Sequence, residues 1–189
     1  MDKLTIEMVS DLVCPWCWLG LRRIQSAISL VDDVEVELLF RPFELDPTIP
    51  QGGVNYRDYM AQKFGPETED SRWATMRQAL IDYGEAEDIP YNFSELRHRP
   101  NSFDAHRLVR WAQGQDKGAE AKEALFKAFF EDGRDIGDHE VLVDVAREII
   151  DGCRVAFGRD DQIGLVERLA VPVRNGDEFE IVAVADEGV

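Results

Sequence analysis

Cysteine, histidine and lysine are scarce in this chain, and each scarcity excludes something. Three cysteines in 189 residues cannot build the disulfide framework of a small secreted domain. Zinc wants four ligands, and beyond one close cysteine pair only Cys153, His98, His106 and His139 are on offer. None of these forms a second close pair, so no metal site is expected. Five lysines and sixteen arginines stand against 38 acidic residues, a net charge of −17. Such a surface repels phosphates and anionic lipid, so neither nucleic acid nor membrane is an expected partner. No apolar run reaches the roughly 18 residues that a membrane span needs. Asp2, Glu7 and Asp11 interrupt the stretch where a signal peptide would be basic and then apolar. The expected location is the cytoplasm, where a close dithiol would cycle rather than stay closed.

What is present is more pointed. Cys14-Pro15-Trp16-Cys17 follows a strand-like run, Leu4 to Ser10, and opens a helix-like run from Pro15 to about Leu30. Two thiols three residues apart at a helix start lie within disulfide reach. Cys14 falls where free N–H groups and the helix dipole favour a thiolate, and Pro15 suits the first helical position. Cys14 is thus the expected attacking sulfur and Cys17, one turn inside, the resolving thiol. Exchange would run through a mixed disulfide. Inert buried cysteines are the plain alternative, and the Pro-Trp between them speaks against it.

Along the chain, Leu4, Ile6 and Met8 alternate with polar neighbours, as do Val34, Val36, Leu38 and Phe40. Leu21, Ile24, Ile28 and Val31 lie between them at helical spacing. This predicts a βαβ unit with parallel strands and a right-handed crossover. Residues 46–53 are rich in turn formers, and helical patterns follow to about Ile150. One carries Tyr56, Tyr59, Met60 and Phe64 and stops at Gly65. The next carries Trp73, Met76, Leu80 and Tyr83 and stops at Gly84. Residues 85–100 read as irregular. Asn101 or Ser102 can cap a third helix, a fourth carries Leu125 and Phe129, and Asp138 can cap a fifth. In the last 37 residues, Val171-Pro172-Val173 and Phe179 to Val182 flank Asn175-Gly176, a hairpin signal.

These features together resemble the thioredoxin superfamily, and more narrowly the cytoplasmic FrnE-type branch of the DsbA-like disulfide oxidoreductases. The resemblance rests on Ser10-Asp11 ahead of the Cys-Pro-Trp-Cys motif, Gly20, and Pro42-Phe43-Glu44-Leu45-Asp46-Pro47. It rests also on Pro100-Asn101-Ser102 with Ala105-His106-Arg107, and on Ala124-Leu125-Phe126 to Phe129-Phe130. It implies an α/β, thioredoxin-like fold with an all-helical insertion domain. Residues 1–45 and 151–189 would form the thioredoxin-like domain, with 46–150 inserted. Family members carry a loop proline that is cis and faces the dithiol; Val171-Pro172 is its match and would help bind substrate. The final family helix is absent, so the C-terminal part is expected to be atypical and truncated. DsbA itself has a histidine in the dipeptide where Trp16 stands here. Pro15 and Trp16 would therefore tune Cys14 to a pKa of about 5 to 7, with a potential between about −120 and −270 mV.

Three functions stay open. The first is a thiol–disulfide oxidoreductase or isomerase acting on polypeptide or small-molecule disulfides. The second is a glutathione-dependent isomerase or transferase. The related 2-hydroxychromene-2-carboxylate isomerases and kappa-class glutathione transferases carry serine at the position matching Cys14. The third is a non-catalytic polypeptide-binding chaperone. No cofactor is expected, with glutathione a candidate co-substrate. Asp11 is either a proton relay to the dithiol or a loop acid. His106 is either a satisfied structural histidine or part of the substrate groove. Trp18, Trp73 and Trp111, with Phe129 and Phe130, are either core or the lining of an apolar groove.

Overall fold

The two alternating runs near the N-terminus form strands β1 (Asp2–Ser10) and β2 (Val34–Pro42). They lie parallel, with Met8 opposite Phe40 and Ser10 opposite Pro42. Parallel neighbours need a long crossover rather than a tight turn, and helix α1 (Pro15–Ile28) supplies it. The end of β1 and the start of α1 therefore meet at residues 11–14. These features come from a computed structural model of the chain, which describes residues 2–68 and 71–151.

After β2 come β3 (Val54–Asn55), α2 (Tyr56–Phe64), α3 (Arg72–Ala86), β4 (His98–Arg99), α4 (Phe103–Gln113), α5 (Gly118–Phe130) and α6 (His139–Asp151). Most of their ends are set by local chemistry. The Asn55 side chain accepts the Asp58 N–H at 3.1 Å and the Ser71 hydroxyl accepts the Ala74 N–H at 3.1 Å. Each satisfies a donor that a helix start leaves free. Gly65, at φ 87°, turns the chain out of α2. Of the two candidate caps before α4, Ser102 holds the cap position without a side-chain cap bond. Asn101 instead accepts the Phe103 N–H at 3.0 Å. The Asp138 carboxylate accepts the Glu140 N–H at 2.9 Å.

Two local expectations are corrected. Residues 98–99 are not irregular: β4 pairs antiparallel with β3, joining Val54 to Arg99 and Asn55 to His98. A two-residue strand is too short to leave a period. Gly84 does not stop α3, which runs on to Ala86. The glycine serves instead as a point of close approach. A Cβ there would sit 2.6 Å from the Ile89 carbonyl oxygen and 2.7 Å from the Tyr91 ring.

One buried cluster runs from Leu12, Trp18 and Leu21 through Phe40 to Leu125, Phe126, Phe130 and Val145. Helices α4, α5 and α6 pack on one another, and α4 and α5 also reach β2. The Gln113 side chain at the end of α4 accepts the Phe40 N–H at 2.6 Å, pairing a strand donor with a helix. Among the described residues no helix is long and apolar enough to cross a membrane. The hairpin around Asn175-Gly176 and the rest of the C-terminal portion from residue 152 lie outside the described residues.

Gly84→Ala should force Tyr91 and the Ile89 backbone away from α3. Overpacking of this kind costs about 1–3 kcal/mol, so the urea midpoint should fall without a change in slope. An unchanged midpoint would show that the segment yields freely.

Candidate active site

The dithiol's place follows from Pro15. A residue before proline is pushed out of the helical region, and Cys14 is extended at φ −104°, ψ 108°. It therefore becomes the N-cap of α1, with Pro15 in the first helical position. The Cys17 N–H donates to the Cys14 carbonyl at 3.0 Å, closing the first turn. Leu12 and Val13 are buried and pin the loop from below. Both cysteines are half-buried free thiols.

The two sulfurs are hydrogen-bonded to each other. The Cys14 thiol donates to the Cys17 sulfur, which pushes Cys14 strongly up and brings Cys17 down to about 7. Cys17 is helped further by the Asp11 N–H and by the charge of Lys122, against the opposing effect of its burial. The sequence places the acidic thiol at Cys14; the two sulfurs interact too closely to ionise independently, so the first negative charge belongs to the pair. Burial and the Asp11 carboxylate oppose that charge on both sulfurs. A proton crossing the hydrogen bond between them moves the charge from one sulfur to the other.

Asp11, at 1% exposure, anchors the loop before the motif. Its Oδ2 accepts the Leu45 N–H at 2.7 Å, and the Ser102 hydroxyl also donates to the carboxylate. Its Oδ1 lies 3.3 Å from His106 Nε2, which lies 3.1 Å from the Phe43 carbonyl. Both of these partners are acceptors, so Nε2 carries a proton. The buried Arg99 guanidinium stands 4.0 Å from Oδ2. Burial is the largest influence and raises the carboxyl, but the bonds from His106, Leu45 and Ser102 together hold it below its ordinary value. Asp11 and His106 are thus tied to each other and to the 43–45 loop.

Trp16 points outward at 41% exposure, with its ring 6.1 Å from that of Tyr83. The Arg23 guanidinium sits 5.3 Å over Tyr83 and bonds to Glu87 at 3.0 Å. Trp18 turns inward, stacked on Phe126 and Phe130 and edge-on to Tyr91. The Tyr91 hydroxyl donates to the Pro15 carbonyl at 2.6 Å, fastening the motif's own backbone. Trp18, Trp73, Phe129 and Phe130 belong to the core, and Trp111 packs against it half-buried.

Sequence reasoning passed over Tyr91, Arg99 and Lys122. Lys122 had a legible signal. It falls among Ala121, Leu125, Phe126 and Phe129, on the stripe that α5 buries, where a lysine is out of place. It is 1% exposed, with its ammonium 5.2 Å from the Phe40 ring centre and 5.5 Å from that of Phe126. Val171, Pro172 and Cys153 lie outside the described residues. Within the described residues, no three His, Cys, Asp or Glu side chains cluster as metal ligands.

A parallel β–α–β unit with Cys-x-x-Cys at its helix start, carrying a helical segment, defines a thioredoxin-like α/β protein. The sequence profile of the DSBA-like thioredoxin domain matches residues 5–149, and the chain belongs to that family. It is 29% identical over 148 residues to the uncharacterized protein YwbO of Bacillus subtilis, covering 78% of this chain and 67% of that one. A probable DsbA oxidoreductase from Streptomyces coelicolor superposes with a TM-score of 0.69 at 26% identity, over 87% of this chain and 67% of the other. A 2-hydroxychromene-2-carboxylate isomerase shares the fold at 12% identity and TM-score 0.55, over 88% and 70%. So does the cytosolic disulfide reductase DsbM from Pseudomonas aeruginosa, at 18% and 0.51, over 88% and 78%. The chain spans about two thirds of the length of the Bacillus and Streptomyces proteins.

The Asp11 charge opposes ionisation of both sulfurs. In Asp11→Asn the first thiol ionisation should therefore fall below about 7, read as thiolate ultraviolet absorbance against pH. A rise would show that the bonds Asp11 makes matter more than its charge. The depressed carboxyl also stabilises the fold. That stabilisation is complete above the unfolded value of about 3.9 and is lost as pH falls through the lower folded value. Asp11→Asn should thus cost stability at neutral pH and little in strong acid.

Proposed function

We propose that the chain is a thiol–disulfide oxidoreductase that works through Cys14 and Cys17 on polypeptide or small-molecule disulfides in the cytoplasm. The observation that carries this reading is the pair of half-buried free thiols at the start of α1, with Cys14 at the N-cap and Cys17 one turn inside. A thiolate available at neutral pH beside a second thiol is what exchange requires. The oxidoreductase assignment of the Streptomyces relative and the cytosolic location of DsbM support the same reading.

The chemistry runs as follows. The thiolate, with its charge on the Cys14 sulfur, attacks one sulfur of a substrate disulfide. A protein–substrate S–S bond forms, the substrate's own S–S bond breaks, and the first substrate sulfur leaves as a thiolate. Cys17 then attacks Cys14, forming the protein disulfide and releasing the second substrate thiolate. Two cysteine sulfurs are oxidised and two substrate sulfurs reduced. The thiol protons pass to the leaving groups or to water. The reverse sequence oxidises a substrate dithiol. Glutathione fits as co-substrate in either direction, and no bound cofactor takes part.

The Trp16–Tyr83 pair and the exposed Phe43 and Leu45 give the rim an apolar character. This suits an unfolded polypeptide as much as a small thiol. The isomerase reading gains nothing from the site, because a glutathione-activating serine site has no use for a pair of free thiols.

Equilibration against graded glutathione buffers, read by thiol alkylation and mass, should give one reversible two-electron transition. It should vanish in Cys14→Ser and in Cys17→Ser. The alkylation rate of the reduced protein should rise through about pH 7. No disulfide at any ratio would overturn the proposal and return the isomerase or chaperone reading.

A further inference from the structure

A buried ammonium needs a reason. Lys122 is 1% exposed on α5, and its ammonium lies over two aromatic faces, Phe40 of β2 and Phe126 one turn along its own helix. Among the described residues no carboxylate lies within ion-pair distance of it. Its neighbour Glu123 turns instead to Arg22 of α1, at 2.7 Å. An unpaired buried cation is costly, and the aromatic faces offset only part of that cost.

The geometry says what else faces it. Phe126 stacks on Trp18, the residue after Cys17, and Phe40 lies on β2 two residues before the level of Ser10. The Arg22–Glu123 pair clamps α5 to α1, so the turn of α5 that carries Lys122 lies against the helix that carries the dithiol. We propose that the Lys122 ammonium, held between the Phe40 and Phe126 rings behind the start of α1, stabilises the thiolate of the Cys14–Cys17 pair. It thereby favours the open dithiol over the disulfide. Lys122 is a positioning charge that acts through the cysteines rather than on substrate, and this role rests on the redox reading given above.

The groups bearing on it are few. The start of α1 presents Cys17 and Cys14, and the loop before it presents Asp11. The Asp11 charge is answered by His106 of α4 and faced by Arg99 of β4. Burial, the largest influence, brings Lys122 down to about 8, while Cys17, Asp11 and Cys14 in that order raise it. When the pair closes on a substrate disulfide, the protein S–S bond forms and the substrate S–S bond breaks. The two cysteine sulfurs lose a pair of electrons to the substrate sulfurs, and the thiolate disappears. Lys122 is left without its main counter-charge. By linkage the cation lowers the thiol ionisation, and closure lowers the ionisation of the cation.

The test is the glutathione equilibrium of the parent protein and of Lys122→Met, which keeps the bulk and drops the charge. At about pH 8 the variant should favour the disulfide about tenfold more, equivalent to about 30 mV for a two-electron couple. At about pH 5.5, where the pair is a neutral dithiol, the difference should shrink to less than about twofold. The variant's first thiol ionisation should rise above about 7. Equal equilibria at both pH values would overturn the proposal. So would a shift independent of pH, since lost packing would produce one. Should Lys122→Met not fold, the Cε resonance of Lys122 in the parent protein decides. Its titration must move to lower pH when the pair is oxidised, and a fixed titration sinks the idea. If the parent forms no disulfide, the redox reading fails, and comparing thiolate titrations of parent and variant still settles the part played by the lysine.

Discussion

The stack around Trp18 holds the rest in place. Trp18 follows Cys17 directly, is fully buried, and packs face to face with Phe126 and Phe130 while Tyr91 meets it edge-on. Aromatic contacts of this kind bury large areas in restricted geometries. Because the tryptophan belongs to the first turn of α1, fixing its ring fixes the turn, and with it the distance between the sulfurs. Three rings from two later parts of the chain therefore define the dithiol. The site depends on helical packing as much as on its own four residues.

Around that turn, two buried charges of opposite sign act on the same pair of sulfurs. Asp11 opposes ionisation and Lys122 favours it. Each is embedded differently. Asp11 is saturated with donors, from Leu45, Ser102 and His106, so its charge is permanent across the neutral range. Lys122 rests on rings, which offer no proton acceptor, so its charge depends on what the sulfurs carry. The fixed acid sets a background and the responsive base follows the redox state. A surface with a net charge of −17 leaves such an interior cation conspicuous. It is the opposite of what the outside of the molecule selects.

Much of the frame was legible from residue order. The alternation of Leu4, Ile6 and Met8 and of Val34 to Phe40 yielded parallel strands, and the Cys14-Pro15 step located the helix start to the residue. These signals are local, arising within a few residues of backbone geometry. The rest was not local. Gly84 looks like a stop and is a contact, because the partner that crowds it, Tyr91, lies beyond the end of the helix. The pairing of β3 with β4 joins two residues to two others more than forty positions away, too little to leave a pattern. Asp11 and His106 were each visible as candidates, yet nothing in their separation of 95 residues says that they touch. Lys122 was detectable only as an error in an apolar stripe. The hydrogen bond between the two sulfurs depends on side-chain direction that spacing does not carry.

The hydrogen bond from Tyr91 to the Pro15 carbonyl spans 76 positions, and it bears on how the protein comes off the ribosome. Both site cysteines precede Tyr91, His106 and Lys122 in the chain by tens of residues. Until those are made, the nascent motif has no tyrosine clasp, no aromatic stack and no neighbouring cation. Synthesis order thus separates the making of the thiols from the making of the groups that hold and tune them.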